Sequence, residues 1–351
     1  MNYDQRMIRI CTSLDNEGYD ITLIGREKRS SLPLESKAFK QKRLYCFFEK
    51  GKLFYIEYNL RLFIFLLFTK ADGICAIDLD TIIPCLWVSS LKRIPRIYDA
   101  HELFCEMKEI SSRPKIYKIW KSIEKYAVPK FKHSYTVNHV IAEEFKKLYK
   151  VDVEVIRSIA LMDENKSAQP KEKFILYQGA VNEGRSFETL IPAMKFIDTK
   201  LIICGDGNFM QQAKALSRIH QVEDKVIFKG MLSPNSLQEI TSQSYIGLTL
   251  FEQGAKSNYY SLANRFFDYI HAGTPQICVD YPLYQELNKK YDIAVLIDDL
   301  EPDSIALVVN RLLDDESVWK SMHENCKTAA KELCWQNEEK ILIAFYKKIF
   351  G

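Results

Sequence analysis

Short runs rich in β-branched and aromatic residues alternate with amphipathic stretches along the second half of the chain. Residues 174–178, 201–204, 226–228, 245–250, 276–279 and 293–297 read as strands. The stretches between them, such as 210–219 and 262–272, place apolar residues at helical spacing. Strands that alternate with helices predict βαβ units and a parallel sheet covered on both faces. Glycines follow several of the strands: Gly179, the pair Gly205 and Gly207, and Gly230. At the carboxyl end of a strand, glycine lets the backbone turn tightly or approach a ligand.

The first half repeats the theme less cleanly. Residues 20–25, 73–77, 96–98, 133–137 and 151–156 read as strands, and 55–68 has helical spacing broken by Glu57, Asn59 and Arg61. Met7, Ile10, Cys11 and Leu14 recur at i, i+3, i+4 and i+7, so the chain opens with a helix. A doubly wound domain normally opens with its central strand, and residues 1–6 are too few and too polar to supply one. Either an upstream segment is missing or the sheet is built without that strand. Residues 158–172 lose periodicity and turn polar, as an interdomain linker does, and helices close the chain over 303–313, 316–334 and 338–350. The expected fold class is α/β, with two Rossmann-like doubly wound parallel-sheet domains facing a cleft.

Composition narrows the function classes. With 47% apolar and 27% charged residues, the 351-residue chain is neither disordered nor fibrous. Its longest apolar run, 62–68, is far too short to span a bilayer, and no signal peptide follows Met1. Nine scattered cysteines without C-x-x-C pairs or zinc spacing point to a reducing cytoplasm. The net charge of +3 divides unevenly: residues 1–160 carry 28 Lys and Arg against 20 Asp and Glu. Two blocks hold the excess, 26–52 with nine cations to three anions and 113–132 with seven to one. Such a half faces an anionic partner, whether membrane surface or phosphorylated substrate; two solvated basic helix faces are the plain alternative. No aromatic-interleaved recognition motif supports nucleic acid.

Three segments carry candidate chemistry. In 257–275, Ser261 reads as an N-cap with Asn264 at the third helical position, Gly273 as the residue just past the helix, and Pro275 as its stop. The free amides at that helix start, over Ser261, Leu262 and Ala263, suit a diphosphate, and Asn264 and Asp268 share one face. An ordinary capped surface helix is the alternative. In 177–185, a strand runs into a Gly-x4-Gly turn from Gly179 that delivers Arg185 to the start of the next helix, where a guanidinium grips phosphate. In 96–104, a short strand delivers Asp99, His101 and Glu102 to its carboxyl end. Asp78-Leu79-Asp80 reads as a strand-end turn, with no metal expected.

Together these segments resemble the GT-B glycosyltransferases, and within them glycosyltransferase family 4, the "glycosyl transferases group 1" set of bacterial surface-polysaccharide pathways. Residues 3–6 through Gly25 and Arg26 look like the family's first helix and second strand, and 98–102 like its strand-end histidine segment. Residues 177–185, 205–207 and 261–273 follow in the family's order. The resemblance implies an acceptor-side domain over 1–158, with the helix 336–351 packing back on it. A linker over 159–171 and a donor domain over 172–335 complete the organisation. It implies that Asp268 holds the ribose, that Arg185 and the amides at 261–263 stabilise a departing diphosphate, and that His101 lies near the transferred sugar. Gly179 and Gly205 complete the donor side, with Asp99 and Glu102 on the acceptor side. The family's first acid falls on Tyr260 and its Gly-Arg arginine on Ala180, so both are absent; 261–265 fits a Ser-Leu-x-Asn-Lys/Arg version of the helix.

The implied reaction is transfer of a sugar from a nucleotide-diphospho-sugar to a hydroxyl of a glycan or lipid-linked acceptor. It proceeds with retention, without metal and with no cofactor beyond the donor. A cytoplasmic location with peripheral contact to an anionic membrane accompanies it. A nucleotide-sugar epimerase of the same fold and an inactive relative that only binds remain as other readings.

Overall fold

The alternation of strand and helix patterns produces two units, each with its own core. The computed structural model describes Met1 and residues 4–162, 171–252 and 256–351. Tyr3 of the segment likened to the family's first helix, and residues 163–170 of the expected linker, lie outside the described residues. One unit comprises Met1–Ser158 with Trp335–Gly351, the other Ile159–Cys334.

The first unit runs α1 (Gln5–Asn16), β1 (Thr22–Glu27), β2 (Lys40–Tyr45), α2 (Gly51–Phe68), β3 (Ile74–Ile77), α3 (Ile82–Lys92) and β4 (Arg96–Ala100). It continues through α4 (Lys108–Ser111), α5 (Pro114–Ala127), β5 (His133–Thr136), α6 (His139–Tyr149) and β6 (Glu154–Val155). Its parallel strands form two separate ladders, β1-β2 and β3-β4-β5-β6. Met7, Ile10 and Leu14 of α1 share one core with Leu23 of β1, Ile97 of β4 and Tyr135 of β5. Strand β2 escaped the sequence reading because Lys40, Gln41, Lys42 and Arg43 show no apolar alternation.

The second unit runs β7 (Glu172–Gln178), α7 (Phe187–Ala193), β8 (Lys200–Cys204), α8 (Met210–Ile219), β9 (Val226–Gly230), α9 (Pro234–Gln243) and β10 (Ser244–Thr249). Then come α10 (Lys256–Tyr259), α11 (Asn264–His271), β11 (Gln276–Val279), α12 (Pro282–Tyr291), β12 (Ala294–Ile297), α13 (Pro302–Asp314) and α14 (Glu316–Glu332). Its six parallel strands are ordered β12-β11-β10-β7-β8-β9. The winding therefore reverses between β7 and β10, and ligands of such sheets bind outside the carboxyl ends of the strands at that point.

The last helix, α15 (Trp335–Phe350), belongs to the first unit. Trp335, Leu342 and Tyr346 bury their rings and methyls there, and Trp335 Nε1 donates to Ser13 Oγ at 2.9 Å. Each such side chain contributes about 1.5–3 kcal/mol of burial. Glu338, also buried, accepts from the Arg157 amide and guanidinium at 2.8 Å.

Candidate active site

The chemistry of the second unit gathers at the β7–β10 reversal. β7 ends on Gln178 and continues into Gly179 at φ +123°, followed by a loop in which Gly184 and Ser186 are both left-handed. That loop leads Arg185 to the start of α7. The Arg185 guanidinium lies 4.5 Å from the centre of the Phe251 ring, just past β10, and its Nη1 donates to Asn258 Oδ1 at 3.2 Å. Gly205 is fixed by close packing. A Cβ there would stand 1.8 Å from the Gly179 carbonyl oxygen, so glycine is demanded by the closeness of two strand ends, whatever binds nearby.

Helix α11 departs from the expected capping. It begins at Asn264 with Ala263 as its cap, two residues later than the pattern predicts. Ser261 caps nothing: its Oγ and its amide both donate to the Asn258 carbonyl, closing the short α10 turn. The Ala263 amide donates to Tyr284 Oη at 3.1 Å. Two of the three amides expected to face a diphosphate, at Ser261 and Ala263, are thus already satisfied internally. Leu262 instead packs on the cluster holding Phe266 and Phe267. The far end follows expectation, with Gly273 at φ +61° directly after the capping residue Ala272. Asn264 is exposed and Asp268 half-buried. Asp268 accepts from Gln178 Nε2 at 2.8 Å, and Thr241 fixes that amide by donating to Gln178 Oε1 at 2.6 Å.

Arg265, which the sequence placed only as the last residue of the 261–265 pattern, has a role there that the sequence reading did not assign. Only 8% exposed, it lies against the rings of Tyr177 at 4.7 Å and Phe251 at 4.8 Å. Its Nη1 donates to Tyr177 Oη at 3.3 Å and to the Gln178 carbonyl at 3.4 Å, while Nε and Nη2 are buried without a partner. No carboxylate pairs with it among the described residues. A buried guanidinium without a counter-charge is costly and requires an explanation. The signal was available: Arg265 stands at i−4 to Tyr269, on the buried stripe of α11.

In the first unit, β4 carries Asp99 and delivers His101 beyond its end. Asp99 is fully buried, accepting from Arg6 Nη2 at 2.9 Å and facing His101 Nε2 at 3.0 Å. It therefore holds Arg6 and His101 in place and is out of reach of an acceptor, contrary to expectation. Asp78, held at φ +54°, accepts from the His101 amide at 2.9 Å and lies 3.4 Å from its Nδ1. The Asp78 turn exists, with a 3-10 segment over Leu79–Thr81, but it also forms half of the histidine's cradle. Glu102 is half-buried beside it. Burial opposes charge on His101, yet Asp99 and Asp78 outweigh it and raise its pKa to about 9. Burial would raise Asp99 as well, but Arg6 and His101 hold it down, at about 2. Asp78, with burial dominant over His101, rises to about 7. His101 is thus a cation near neutrality with both ring nitrogens facing carboxylates, able to offer charge but unable to act as a base.

These shifts set a pH dependence. A charge favoured in the folded state gives His101 a contribution complete below pH 6.5 and lost as pH rises through about 9. Asp78 acts in the same sense lower down, because burial penalises its ionised form, so stability falls as pH rises from about 4 to about 7. Chemical denaturation is expected to show the first unit losing up to about 3 kcal/mol between pH 6 and pH 9, and His101→Gln flattening the upper part of that loss. A profile unchanged by the substitution refutes the charged histidine. Among the described residues, no group of three or more His, Cys, Asp or Glu is arranged to hold a metal ion.

Residues 160–333 match the family described as "Glycosyl transferases group 1", a span equal to the second unit less one residue at each end. That unit belongs to the glycosyl transferases group 1 family. An uncharacterized glycosyltransferase of Methanocaldococcus jannaschii, MJ1607, is 26% identical over 196 residues, 54% of this chain and 47% of the relative. The O-antigen chain mannosyltransferase RfbU of Salmonella typhimurium is 26% identical over 212 residues, 57% of this chain and 52% of the relative. The chain spans about half the length of these curated relatives. Solved structures share the fold over nearly all of it. Sucrose-phosphate synthase from Thermosynechococcus elongatus superposes with a TM-score of 0.75 at 15% identity, covering 97% of this chain and 92% of that one. Anabaena HepE in complex with UDP-glucose gives 0.75 at 10% identity, covering 98% and 96%. The fold is that of the GT-B glycosyltransferases, and Arg185, Arg265 and Asp268 all lie in the group 1 domain.

Proposed function

We propose that the chain is a glycosyltransferase that moves a sugar from a nucleotide-diphospho-sugar to a hydroxyl acceptor. The observation that carries this reading is the pair of guanidiniums, Arg185 and Arg265, against one ring at the strand reversal of a group 1 domain, with no carboxylate paired with Arg265 among the described residues. A diphosphate supplies that missing charge. Arg185, half-buried, meets it directly; Arg265 adds positive potential from beneath, where the low dielectric strengthens its effect. The two cations take the part that a metal plays elsewhere, so transfer proceeds without one. Asp268, half-buried and oriented by Gln178, takes ribose hydroxyls.

His101, Asp99 and Glu102 serve the acceptor side, with Asp99 acting through His101. As a cation His101 cannot take the acceptor's proton, which passes to the departing anionic diphosphate while the sugar keeps its anomeric configuration. RfbU and HepE, by their names and bound ligand, support a surface-glycan setting and a nucleotide-diphospho-sugar donor.

The test is a panel of nucleotide sugars with glycan and lipid-linked acceptors, products followed by NMR and rates compared with and without chelator. Nucleotide release together with glycosylated acceptor, unaffected by chelator, is expected. Sugar inverted on its own nucleotide makes the chain an epimerase, and calorimetry showing neither UDP nor GDP bound makes it a non-catalytic relative.

A further inference from the structure

Gln178 closes β7 with a side chain only 3% exposed, behind the apolar residues Phe174, Ile175 and Leu176. A primary amide in such a place destabilises the fold unless its donor and its acceptor are both met. Both are met, from two different helices. Oε1 accepts from Thr241 Oγ1 at 2.6 Å, near the end of α9, and Nε2 donates to Asp268 Oδ2 at 2.8 Å, on α11. Thr241 is equally buried, and its hydroxyl also lies 2.7 Å from the Leu237 carbonyl one turn back. A carboxylate accepts only from the nitrogen of an amide, so Asp268 fixes which way this one lies.

The backbone of the same residue touches the second donor group. Arg265 Nη1 donates to the Gln178 carbonyl at 3.4 Å, and Tyr269 Oη, further along α11, donates to the Leu176 carbonyl at 2.9 Å. Residues 265, 268 and 269 thus register α11 on the end of β7, and Gln178 takes part in two of the three bonds.

The absence of charge at this position decides the state of both groups. A glutamate, equal in size, would set two carboxylates at hydrogen-bond distance and raise the proton affinity of the pair. It would also bring an anion to the strand end where Arg265 has none among the described residues. A leucine would leave Arg265 as it is but take from Asp268 its donor. Thr241 would still have the Leu237 carbonyl, so no buried hydroxyl is orphaned by that change.

We propose that Gln178 is the positioning residue of the donor site: its neutral amide holds Asp268 for the ribose and leaves Arg265 positive for the diphosphate. The inference rests on the donor reading above and deepens it, because it makes one buried amide the source of the preference for a nucleotide with ribose hydroxyls.

The experiment is calorimetry of the full chain with UDP, GDP and their 2′,3′-dideoxy forms, near pH 5.5 and near pH 8, beside melting curves. The wild type is expected to bind one of the two ribonucleotides about tenfold or more tighter than its dideoxy form. Gln178→Leu is expected to lose about tenfold for the ribonucleotide and little for the dideoxy form, erasing the preference at both pH values. Gln178→Glu is expected to lose about a hundredfold near pH 8 and to recover most of it near pH 5.5, relative to the wild type at each pH. A protonated carboxyl is neutral and donates to Asp268 as the amide does, so recovery on acidification is a signature that packing alone does not produce. A ribose preference intact in Gln178→Leu, or a Gln178→Glu loss equal at both pH values, overturns the proposal and leaves Gln178 a packing residue. A wild type that binds neither UDP nor GDP defeats the donor reading itself, and this inference with it.

Discussion

Arg185→Ala is expected to lower kcat/KM for the nucleotide-sugar donor by roughly 10²–10³-fold while the protein melts as the wild type does. The loss is large because the proposed role of the cation is to act where charge develops as the diphosphate departs; the fold is expected to survive because the side chain is half-buried, at the rim beside Asn258 and the Phe251 ring. Arg185→Lys keeps the charge without the planar fork and is expected to recover part of the rate. Arg265 separates function from packing more sharply. Its Nε and Nη2 are buried without partners, so Arg265→Met removes an uncompensated charge and fills the same space. Turnover is expected to fall while stability holds or rises, by about 1 kcal/mol. Steady-state rates beside denaturation curves check both. A melt several degrees lower with activity retained would show Arg265 to be structural, and full turnover in both variants would dismiss the donor site.

Asp99→Asn is expected to cost the first unit about 3–5 kcal/mol, read by chemical denaturation. One fully buried carboxylate answers two cations, Arg6 and His101, which approach from α1 and from the end of β4. Neutralising it leaves both short of a counter-charge. His101 then loses the larger of its two supporting charges, so its pKa, followed by NMR, is expected to fall from about 9 toward 6.5. A stable variant with an unshifted histidine would remove Asp99 from its place at the centre of this cluster.

The α/β class, the parallel strands and the first helix were all legible in the chain. Hydrophobic period is local: 3.6 for a helix, 2 or a short apolar run for a strand, and each leaves its mark within ten residues. Gly273 was legible for the same reason, since a left-handed residue past a helix end is a requirement on one position. β2 was lost because its period is written in lysines, glutamine and arginine. Ser261 misled because the same residue type that caps one helix also closes the turn before it, and the choice depends on whether Tyr284 is there to take the Ala263 amide.

What the amino-acid order determined by itself is therefore the set of elements, their alternation and the candidate residues at their ends. The tertiary structure alone decided which of those residues carry charge to a site. Arg6 meets Asp99 across 93 residues of chain, and Arg265 meets Tyr177 across 88. Whether a guanidinium is answered by a carboxylate or buried unanswered depends on groups that folding brings together from afar. No window of sequence contains them, which is why Asp99 turned from a ligand group into a support, and Arg265 from a helix residue into a buried cation with no carboxylate beside it among the described residues.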